Sequence, residues 1–467
     1  MELRKKKRCV VVGAGLAGLA AASRLADSGL APLVVDAQER CGGLCATLSH
    51  GPFRFDIGGH RFFTRNRFVE DFALSLLRPD VRRVQRRSSI FLNGHFVDYP
   101  LSPRSALAAM GVGNSALAVA SFLYHRTRHQ LSGARADTFE AWTRANFGDR
   151  LYRTFFKGYT EKVWGIPCSE ISAAWAGQRI REFNLGVALK AALGLVRKRP
   201  PTLADTFIYP THGFGALAES LARRVETAGG RLQLSTPVDG LVVVGQRVQA
   251  VVTRSNEQIP AEHFVFTNPL PQTAAWLAAA RSQSVPEAAA ALRFRGLVTV
   301  LLTLDIPSVS QDQWTYFPEE TIPFGRMHEP RNWSPELAPK GKTSLVVEYF
   351  AFPGDPTWQT PDQTLLHDTA AILSSLRFFQ ESAVTGGRVD RWPHAYPAYE
   401  TGYAERVRTL YDSIRPLENA IIAGRTGMFR YHNADHAIET GWEAASALLG
   451  EGGNPFKVNT DPGYQEQ

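Results

Sequence analysis

A glycine-rich hexapeptide near the N-terminus has the residue spacing needed to bind a dinucleotide. Gly13, Gly15 and Gly18 stand at the three glycine positions of a G-x-G-x-x-G pattern. The first permits a tight turn, the second lets the backbone approach a pyrophosphate, and the third lets a helix pack closely on a strand. A helix that begins here presents free N–H groups and the positive end of its dipole to the phosphates. The chemistry indicated is the binding and orientation of an anionic cofactor.

The segments around this hexapeptide supply the βαβ unit that the pattern requires. Residues 9–12 are an apolar run typical of a buried strand, and the small residues that continue to Ala26 predict a helix. A second apolar run at residues 32–35 ends at Asp36, about twenty residues beyond the glycines, where a carboxylate can bond a ribose hydroxyl. Because a lone G-x-G-x-x-G also occurs in simple packing turns, the complete unit is what indicates a dinucleotide site.

Three later segments predict that the dinucleotide is FAD. A glycine pair at residues 42–43 follows the second predicted strand, and the alternating residues 53–60 break into another glycine turn. Residues 421–424 form a strand that reaches a glycine, and residues 436–449 follow as a helix. The N-terminus of that helix could direct its dipole at a flavin ring oxygen. Glycine turns from both ends of the chain that converge on one cofactor are typical of a flavoprotein.

Length and composition bound the class of protein. A chain of 467 residues exceeds one compact core, and its 44% hydrophobic and 21% charged residues are ordinary for a globular protein. The net charge of +8 suits an anionic ligand, but the basic residues are spread along the chain without a nucleic-acid motif, so no nucleic acid is expected as a partner.

Four cysteines and twelve histidines show no metal-ligand spacing, which predicts free thiols, no metal and a cytoplasmic protein. The basic N-terminus imitates a secretory signal, but the glycine pattern explains the apolar run better.

The predicted fold class is α/β, with a discontinuous Rossmann-type FAD-binding domain, a helical insertion, and a mixed or antiparallel β-sheet domain for the substrate. The expected boundaries are 1–66, 208–270 and 415–455 for the FAD-binding domain, 100–205 for the helical domain, 67–99 and 271–414 for the sheet domain, and 456–467 for the tail.

Individual runs support this division. Residues 297–304 and 344–350 predict strands of the substrate-side sheet, and residues 105–124 predict a buried helix. Residues 185–199 form a basic amphipathic segment. Such a segment can contact a membrane surface, and a surface helix of the helical domain is the alternative.

The motifs, in order from residue 9 to about residue 440, resemble the flavoproteins that include amine oxidases, protoporphyrinogen oxidase and UDP-galactopyranose mutase. The mutase branch is favoured by DIGGH at residues 56–60, YTEKVWG at 159–165 and GRTGMFRY at 424–431. Two departures stand out. Gly59 replaces the usual proline, and residues 431–435 read YHNAD where mutases commonly have YYDMD.

The resemblance implies an enzyme that isomerises a nucleotide-activated sugar between pyranose and furanose forms, with N5 of reduced FAD as the nucleophile and NAD(P)H as a possible external reductant. One alternative is an FAD-dependent oxidoreductase (an oxidase, dehydrogenase or desaturase) that takes a hydride from a sugar, an amine or an apolar substrate. A second alternative is a non-catalytic binding protein that FAD stabilises.

The resemblance also implies which residues form the site. Catalytic roles are assigned to His60, Arg179, Arg295 and Arg425. Substrate contacts are assigned to Phe155, Tyr159, Trp164, Arg179, Tyr209, Arg295, Arg326 and Tyr431. FAD contacts are assigned to Gly13, Gly15, Leu16, Ala17, Gly18, Asp36, Ala37, Arg40, Gly42, Gly43, Leu44, Gly59, His60, Arg61, Val238, Gly424, Arg425, Asn433, Asp435, His436 and Ala437. Simpler alternatives are a turn-capping role for His60, core packing for Tyr159 and Trp164, a solvated surface for Arg179, and a structural ion pair for Arg295.

Overall fold

The computed structural model describes residues 8–99, 103–132, 136–175 and 206–460. Its strands, in chain order, are β1 (Arg8–Val12), β2 (Ala31–Val35), β3 (Thr47–His50), β4 (Phe53–Asp56), β5 (Val81–Gln85), β6 (Ser88–Leu92), β7 (His95–Asp98), β8 (Thr206–Pro210), β9 (Arg231–Gln233), β10 (Val238–Val244), β11 (Arg247–Thr253), β12 (Gln258–Pro260), β13 (His263–Phe266), β14 (Phe294–Leu304), β15 (Trp314–Tyr316), β16 (Arg326–His328), β17 (Thr343–Ala351), β18 (Val384–Pro397) and β19 (Ala420–Ile422). Its α-helices are α1 (Leu16–Asp27), α2 (Arg67–Leu77), α3 (Pro103–Ser132), α4 (Phe139–Phe147), α5 (Asp149–Leu151), α6 (Gly158–Trp164), α7 (Gly215–Thr227), α8 (Leu270–Ala280), α9 (Glu287–Ala291), α10 (Pro356–Gln359), α11 (Asp362–Ser375), α12 (Tyr403–Ile414), α13 (Gly424–Gly427) and α14 (Ala434–Leu448).

The N-terminal βαβ unit forms as the sequence predicts and belongs to a five-stranded parallel sheet. The strand order is β19-β13-β1-β2-β9, and every neighbouring pair is parallel. Four of the five residues of β1 are buried, as expected for a strand covered on both faces. Because parallel strands end at the same edge, the loops after β1, β2, β13 and β19 meet there, where such sheets bind ligands.

Small residues bring the two ends of the chain together around α1. A Cβ at Gly18 would lie 1.9 Å from the carbonyl oxygen of Gly13, so the helix packs on the glycine turn as the spacing predicts. A Cβ at Gly441 would lie 2.0 Å from the carbonyl oxygen of Ala17, so α14 also packs directly on the α1 backbone. The N-terminal ends of α1 and α14 therefore share one edge of the parallel sheet.

A second, seven-stranded sheet faces this edge. Its order is β18-β14-β17-β16-β15-β6-β7, and all pairs are antiparallel except β15 with β6. All residues of β14 and β17 are buried. Alternate β14 side chains enter two different cores, with Val298 and Leu302 on one face and Leu297 and Leu301 on the other, which is the period of two that a strand imposes. The predicted fold class is confirmed.

The helical segment contains the predicted helix, but one side of it is exposed. Residues 105–124 lie within α3, where Ala118 and Phe122 are buried while Leu117, Leu123 and Tyr124 are more than half exposed. The prediction of a buried helix is therefore wrong for these three residues; α3 packs mainly against α4 and α5 and also meets β7. In the part of the chain that the structure describes, no helix is both long and apolar enough to cross a bilayer. Residues 185–199 lie outside the described ranges.

Candidate active site

A cavity of about 600 Å³ lies between the edge of the parallel sheet and the seven-stranded sheet. This volume falls within the roughly 300–1,000 Å³ of typical ligand sites. One wall consists of the loops after β1, β2, β13 and β19. The other wall is supplied by β14, β15, β16 and β18.

The two glycine turns form a cradle that side chains would fill. Gly13 has φ +109°, and a Cβ there would lie 2.1 Å from Oγ1 of Thr267. At Gly15 nothing lies within 4 Å of the Cβ position, so its backbone borders open space. The Gly42 N–H donates to the Ala14 carbonyl at 2.8 Å, which joins the two turns. The free N–H groups at the start of α1 suit a diphosphate.

Asp36 is held at the end of β2 by backbone donors. One carboxylate oxygen accepts from the Ala14 N–H at 2.6 Å, and the other accepts from the Gln38 N–H at 2.8 Å. Burial raises the pKa of the carboxyl group, and these two donors oppose the shift. Because each carboxylate oxygen has two acceptor sites, the fixed carboxylate can still accept from a ribose hydroxyl.

His60 lies at a turn that packs on the seven-stranded sheet. A Cβ at Gly59 would lie 2.3 Å from the Trp314 ring, so only glycine fits beside this indole. Nδ1 of His60 lies 3.0 Å from the Gly58 carbonyl oxygen, and the imidazole stacks on Phe214 at 4.9 Å. Burial lowers the pKa of His60, which favours the neutral ring near pH 7.

Arg425 carries a buried positive charge into the cavity wall. Its guanidinium lies 4.2 Å from the ring centroid of Tyr431 and 4.8 Å from that of Tyr396. Nη1 donates to the His432 carbonyl at 3.2 Å, whereas Nε and Nη2 have no hydrogen-bond partner among the described residues. An unmatched buried guanidinium is suited to an anionic group.

Arg326 forms the second cationic element of the wall. Its Nε and Nη2 lie 2.7 and 2.6 Å from one oxygen of the buried Glu348, and Nη2 also donates to the Tyr396 hydroxyl at 2.9 Å. His328 Nδ1 lies 3.4 Å from the other oxygen of Glu348. Burial alone would raise the pKa of Glu348, but Arg326 and His328 outweigh it and lower the pKa to about 2.

These features fit FAD. The cradle between Gly13 and Gly15 can take the diphosphate, Asp36 can hold the ribose, and the unpartnered nitrogens of Arg425 can meet a polar edge of the cofactor. Among the described residues, no group of three or more His, Cys, Asp or Glu side chains could hold a metal ion.

Most of the residues assigned to FAD lie together on the cavity wall. The lining includes Gly13, Gly15, Leu16, Ala17, Asp36, Ala37, Gly42, Gly43, Leu44, Gly59, His60, Arg61, Val238, Gly424, Arg425, Asn433 and Ala437. Of the residues assigned to substrate, Arg326 and Tyr431 also line it. Tyr159 does not, but its ring meets the lining residue Tyr316 edge to face at 5.9 Å.

Four residues assigned to FAD lie outside the lining. Gly18 acts in helix packing, and Arg40 pairs with its exposed neighbour Glu39. Asp435 and His436 are buried at the start of α14, where His436 completes a capping box with Asn433.

Trp164 and Arg295, both assigned to substrate, are used within the protein core. Trp164 is 2% exposed and packs edge to face on Trp175 at 5.3 Å. Arg295 donates to the carbonyls of Val163 and Phe350 and pairs with Asp355 at 2.8 Å. These contacts fit the alternatives of core packing for Trp164 and a structural ion pair for Arg295, and the assignment of both residues to substrate stays a prediction.

The remaining assigned residues are also accounted for. Phe155 is half-buried on a π-helical segment, Tyr152–Lys157, away from the cavity. Arg179 lies outside the described residues.

Tyr209 is buried near the end of β8, and its substitution tests the assignment to substrate. Its hydroxyl donates to Asp56 at 2.6 Å; Asp56 also accepts from the Thr47 hydroxyl and the Phe214 N–H. Tyr209→Phe should lower the free energy of unfolding by about 1.5–3 kcal/mol, because a buried carboxylate loses a donor. Urea denaturation measures this loss. Intact stability in the variant would contradict this structural role and support the assignment to substrate.

Sequence reasoning missed much of the sheet wall and one buried histidine. The missed lining residues include Trp314, Tyr316, Trp392, His394, Tyr396 and His432. The aromatic residues lie on strands without a motif, so pairing in the seven-stranded sheet, and not local spacing, brings them to the cavity. His432 could have been found from the sequence, because it stands in the YHNAD stretch of residues 431–435, where mutases commonly have YYDMD.

The comparisons with known proteins establish the class. A family model described as flavin containing amine oxidoreductase matches residues 16–449, so the chain belongs to that family and is an FAD-dependent enzyme.

Among particular proteins, the chain is 27% identical over 292 residues to a zeta-carotene-forming phytoene desaturase of Myxococcus xanthus, covering 57% of this chain and 54% of the relative. It is 28% identical over 176 residues to a probable UDP-galactopyranose mutase of Klebsiella pneumoniae, covering 36% and 44%. The chain thus spans about half the length of the curated relatives it matches.

A solved structure extends the similarity in fold to almost the whole chain. Reduced UDP-galactopyranose mutase aligns with a TM-score of 0.83 and 19% identity, covering 98% of this chain and 97% of the other.

Proposed function

We propose that the chain acts on a nucleotide-activated sugar and isomerises it between pyranose and furanose forms, as a UDP-galactopyranose mutase-like enzyme. The observation that carries the proposal is the pairing of Arg326 and Arg425 with Tyr396 and Tyr431 on the cavity wall. One carboxylate, Glu348, pairs with Arg326, and no ion pair to Arg425 is found among the described residues. A wall with surplus positive charge suits a substrate that carries a diphosphate.

Bound FAD, when reduced, supplies a nucleophilic nitrogen that can displace a nucleoside diphosphate from a sugar. The protein's part is to bind and neutralise the leaving group. A nitrogen of Arg425 that the cofactor leaves unbound can serve this task, and the ring centroid of Tyr431 lies 4.2 Å from the guanidinium. Burial raises the pKa of Tyr396 to about 12, so its hydroxyl stays protonated and can donate.

His60 suits proton handling in the same cavity. With Nδ1 near the Gly58 carbonyl, a neutral ring that carries its proton on Nδ1 keeps Nε2 as an acceptor. Its stacking on Phe214 fixes the plane of the ring. The ring is thus placed to accept a proton without carrying a charge in the resting enzyme.

A specific observation favours a second candidate, an FAD-dependent oxidoreductase that takes a hydride from an apolar substrate. Leu297, Trp314 and Trp392 give the sheet wall an apolar portion. The similarity to a phytoene desaturase supports the same function. The buried charge on Arg425 weighs against it, because an apolar substrate leaves that charge unmatched.

The deciding experiment compares oxidised and reduced enzyme under anaerobic conditions. UDP-galactopyranose is incubated with each form, and the ring size of the product and the redox state of the flavin are followed together. Isomerised product only with reduced flavin, and without net electron transfer, supports the mutase proposal. An inert sugar nucleotide together with bleaching of oxidised flavin by a polyene would replace it with the oxidoreductase. NAD(P)H, offered as the reductant in a parallel reaction, tests the proposed electron donor.

The same proposal assigns a role to each domain of the chain. Residues 1–66, 208–270 and 415–455 would serve as the FAD-binding domain, and residues 67–99 and 271–414 as the substrate-side domain. The cavity between the two sheets supports this division.

A further inference from the structure

His432 is a buried, polar residue of the cavity wall whose side chain is unused within the protein. It is 1% exposed and belongs to the lining. Neither ring nitrogen makes a hydrogen bond of acceptable geometry within the described part of the chain. Buried polar groups are nearly always paired in folded proteins, so an imidazole left in this way points to a ligand as its partner.

The surroundings of His432 keep its ring uncharged. Burial lowers the pKa well below its usual value, and His436, Arg430 and Arg425 add to the shift, while the Gly424 carbonyl opposes it. A neutral imidazole offers one donor and one acceptor. Arg425 Nη1 donates to the backbone carbonyl of His432 and does not bind the imidazole. The His432 side chain can therefore make another contact.

The position of His432 indicates the cofactor as its partner. The residue stands between Gly424 and α14, which both pack against the helix of the dinucleotide turn. A Cβ at Gly424 would lie 2.9 Å from the Ala17 Cβ, and α14 lies on the Ala17 backbone through Gly441. Asn433, the N-cap of α14, also lines the cavity.

We propose that the imidazole of His432 hydrogen-bonds to bound FAD and, with Arg425, sets the binding affinity and reduction potential of the flavin. The two groups act differently, because Arg425 contributes a charge and His432 a neutral donor and acceptor. The proposal depends on FAD binding and not on which substrate the enzyme converts.

His432→Phe tests this contact, since it removes both ring nitrogens and keeps an aromatic side chain and the backbone carbonyl that holds Arg425. We expect FAD affinity to fall roughly tenfold, which corresponds to about 1.4 kcal/mol. The midpoint potential of the flavin should shift, as measured against reference dyes. The melting temperature of the apoprotein should stay equal or rise, because no partner within the protein is lost.

Two further variants separate a cofactor contact from a structural role. His432→Gln keeps a donor and an acceptor and should recover part of the affinity and potential. His436→Phe is the matched control for a structural role, because His436 is also buried but caps α14; it should lower apoprotein stability. Wild-type affinity and potential in His432→Phe would overturn the proposal, as would a fall in apoprotein stability equal to that of His436→Phe.

Discussion

Gly15→Val is expected to give a folded protein that no longer retains FAD. Gly15 has φ −74° and ψ 175°, a conformation open to any residue, and nothing lies within 4 Å of its Cβ position. The added Cβ therefore meets no neighbour in the apoprotein, and the side chain occupies the space where the dinucleotide is expected to meet the backbone. We expect affinity to fall at least roughly hundredfold, as for an overlap that costs about 3 kcal/mol.

The measurement is the flavin content of the purified protein together with its circular dichroism and thermal unfolding. Gly18→Val is the matched control, since a Cβ at Gly18 would lie 1.9 Å from the Gly13 carbonyl oxygen. That variant should fail to fold, because the clash is between α1 and the backbone of the turn. A yellow Gly15→Val protein with wild-type affinity would mean that the cofactor does not approach this glycine.

The N-terminal unit was predictable because its information is local. The turn, helix and second strand follow one another within 36 residues, and each has its own signal: a glycine spacing, small residues, and an apolar run that ends at Asp36. The partners of the unit were also within reach, since the late strand β19 and helix α14 repeat the same pattern. The sequence predicted that a mixed or antiparallel sheet would form, but it did not predict the order of the strands in that sheet.

The function of single arginines was not predictable from spacing. Arg295 and Arg326 both stand at the start of a strand, and the sequence offers no reason to separate them. Their difference comes from distant parts of the chain. Arg295 meets Asp355 and the end of α6, where Gly165 leaves room for the guanidinium, whereas Arg326 meets Glu348 at the cavity. Such pairings depend on sheet register, which a single sequence does not reveal.

Variants of the Arg326–Glu348 pair should separate the effect on stability from the effect on binding. Removing only the arginine should lower stability, whereas removing both charges should restore stability without restoring binding. Arg326→Met leaves a fully buried carboxylate without its main partner, and we expect the free energy of unfolding to fall by about 3–5 kcal/mol. The double variant Arg326→Met/Glu348→Gln should recover much of this stability, since neither charge remains. If the proposed function is right, the double variant should not recover UDP binding, because the cationic group of the wall is still missing. Denaturant titration and calorimetry on the same preparations measure both effects.

The pH dependence distinguishes this explanation from a simple packing defect. In the wild type the pKa of Glu348 is lowered from 4.5 to about 2, so the pair contributes its full stability above the ordinary pKa of a glutamate, and this contribution is lost progressively as the pH falls from there to about 2. Without Arg326, burial should raise the pKa of Glu348 above its unfolded value, and protonation then relieves the buried charge. The destabilisation by Arg326→Met should therefore be largest near pH ~8 and smaller near pH ~5.5. A destabilisation that is the same at both pH values would mean that Arg326 acts through packing alone, and the charge on this wall would no longer support an anionic substrate.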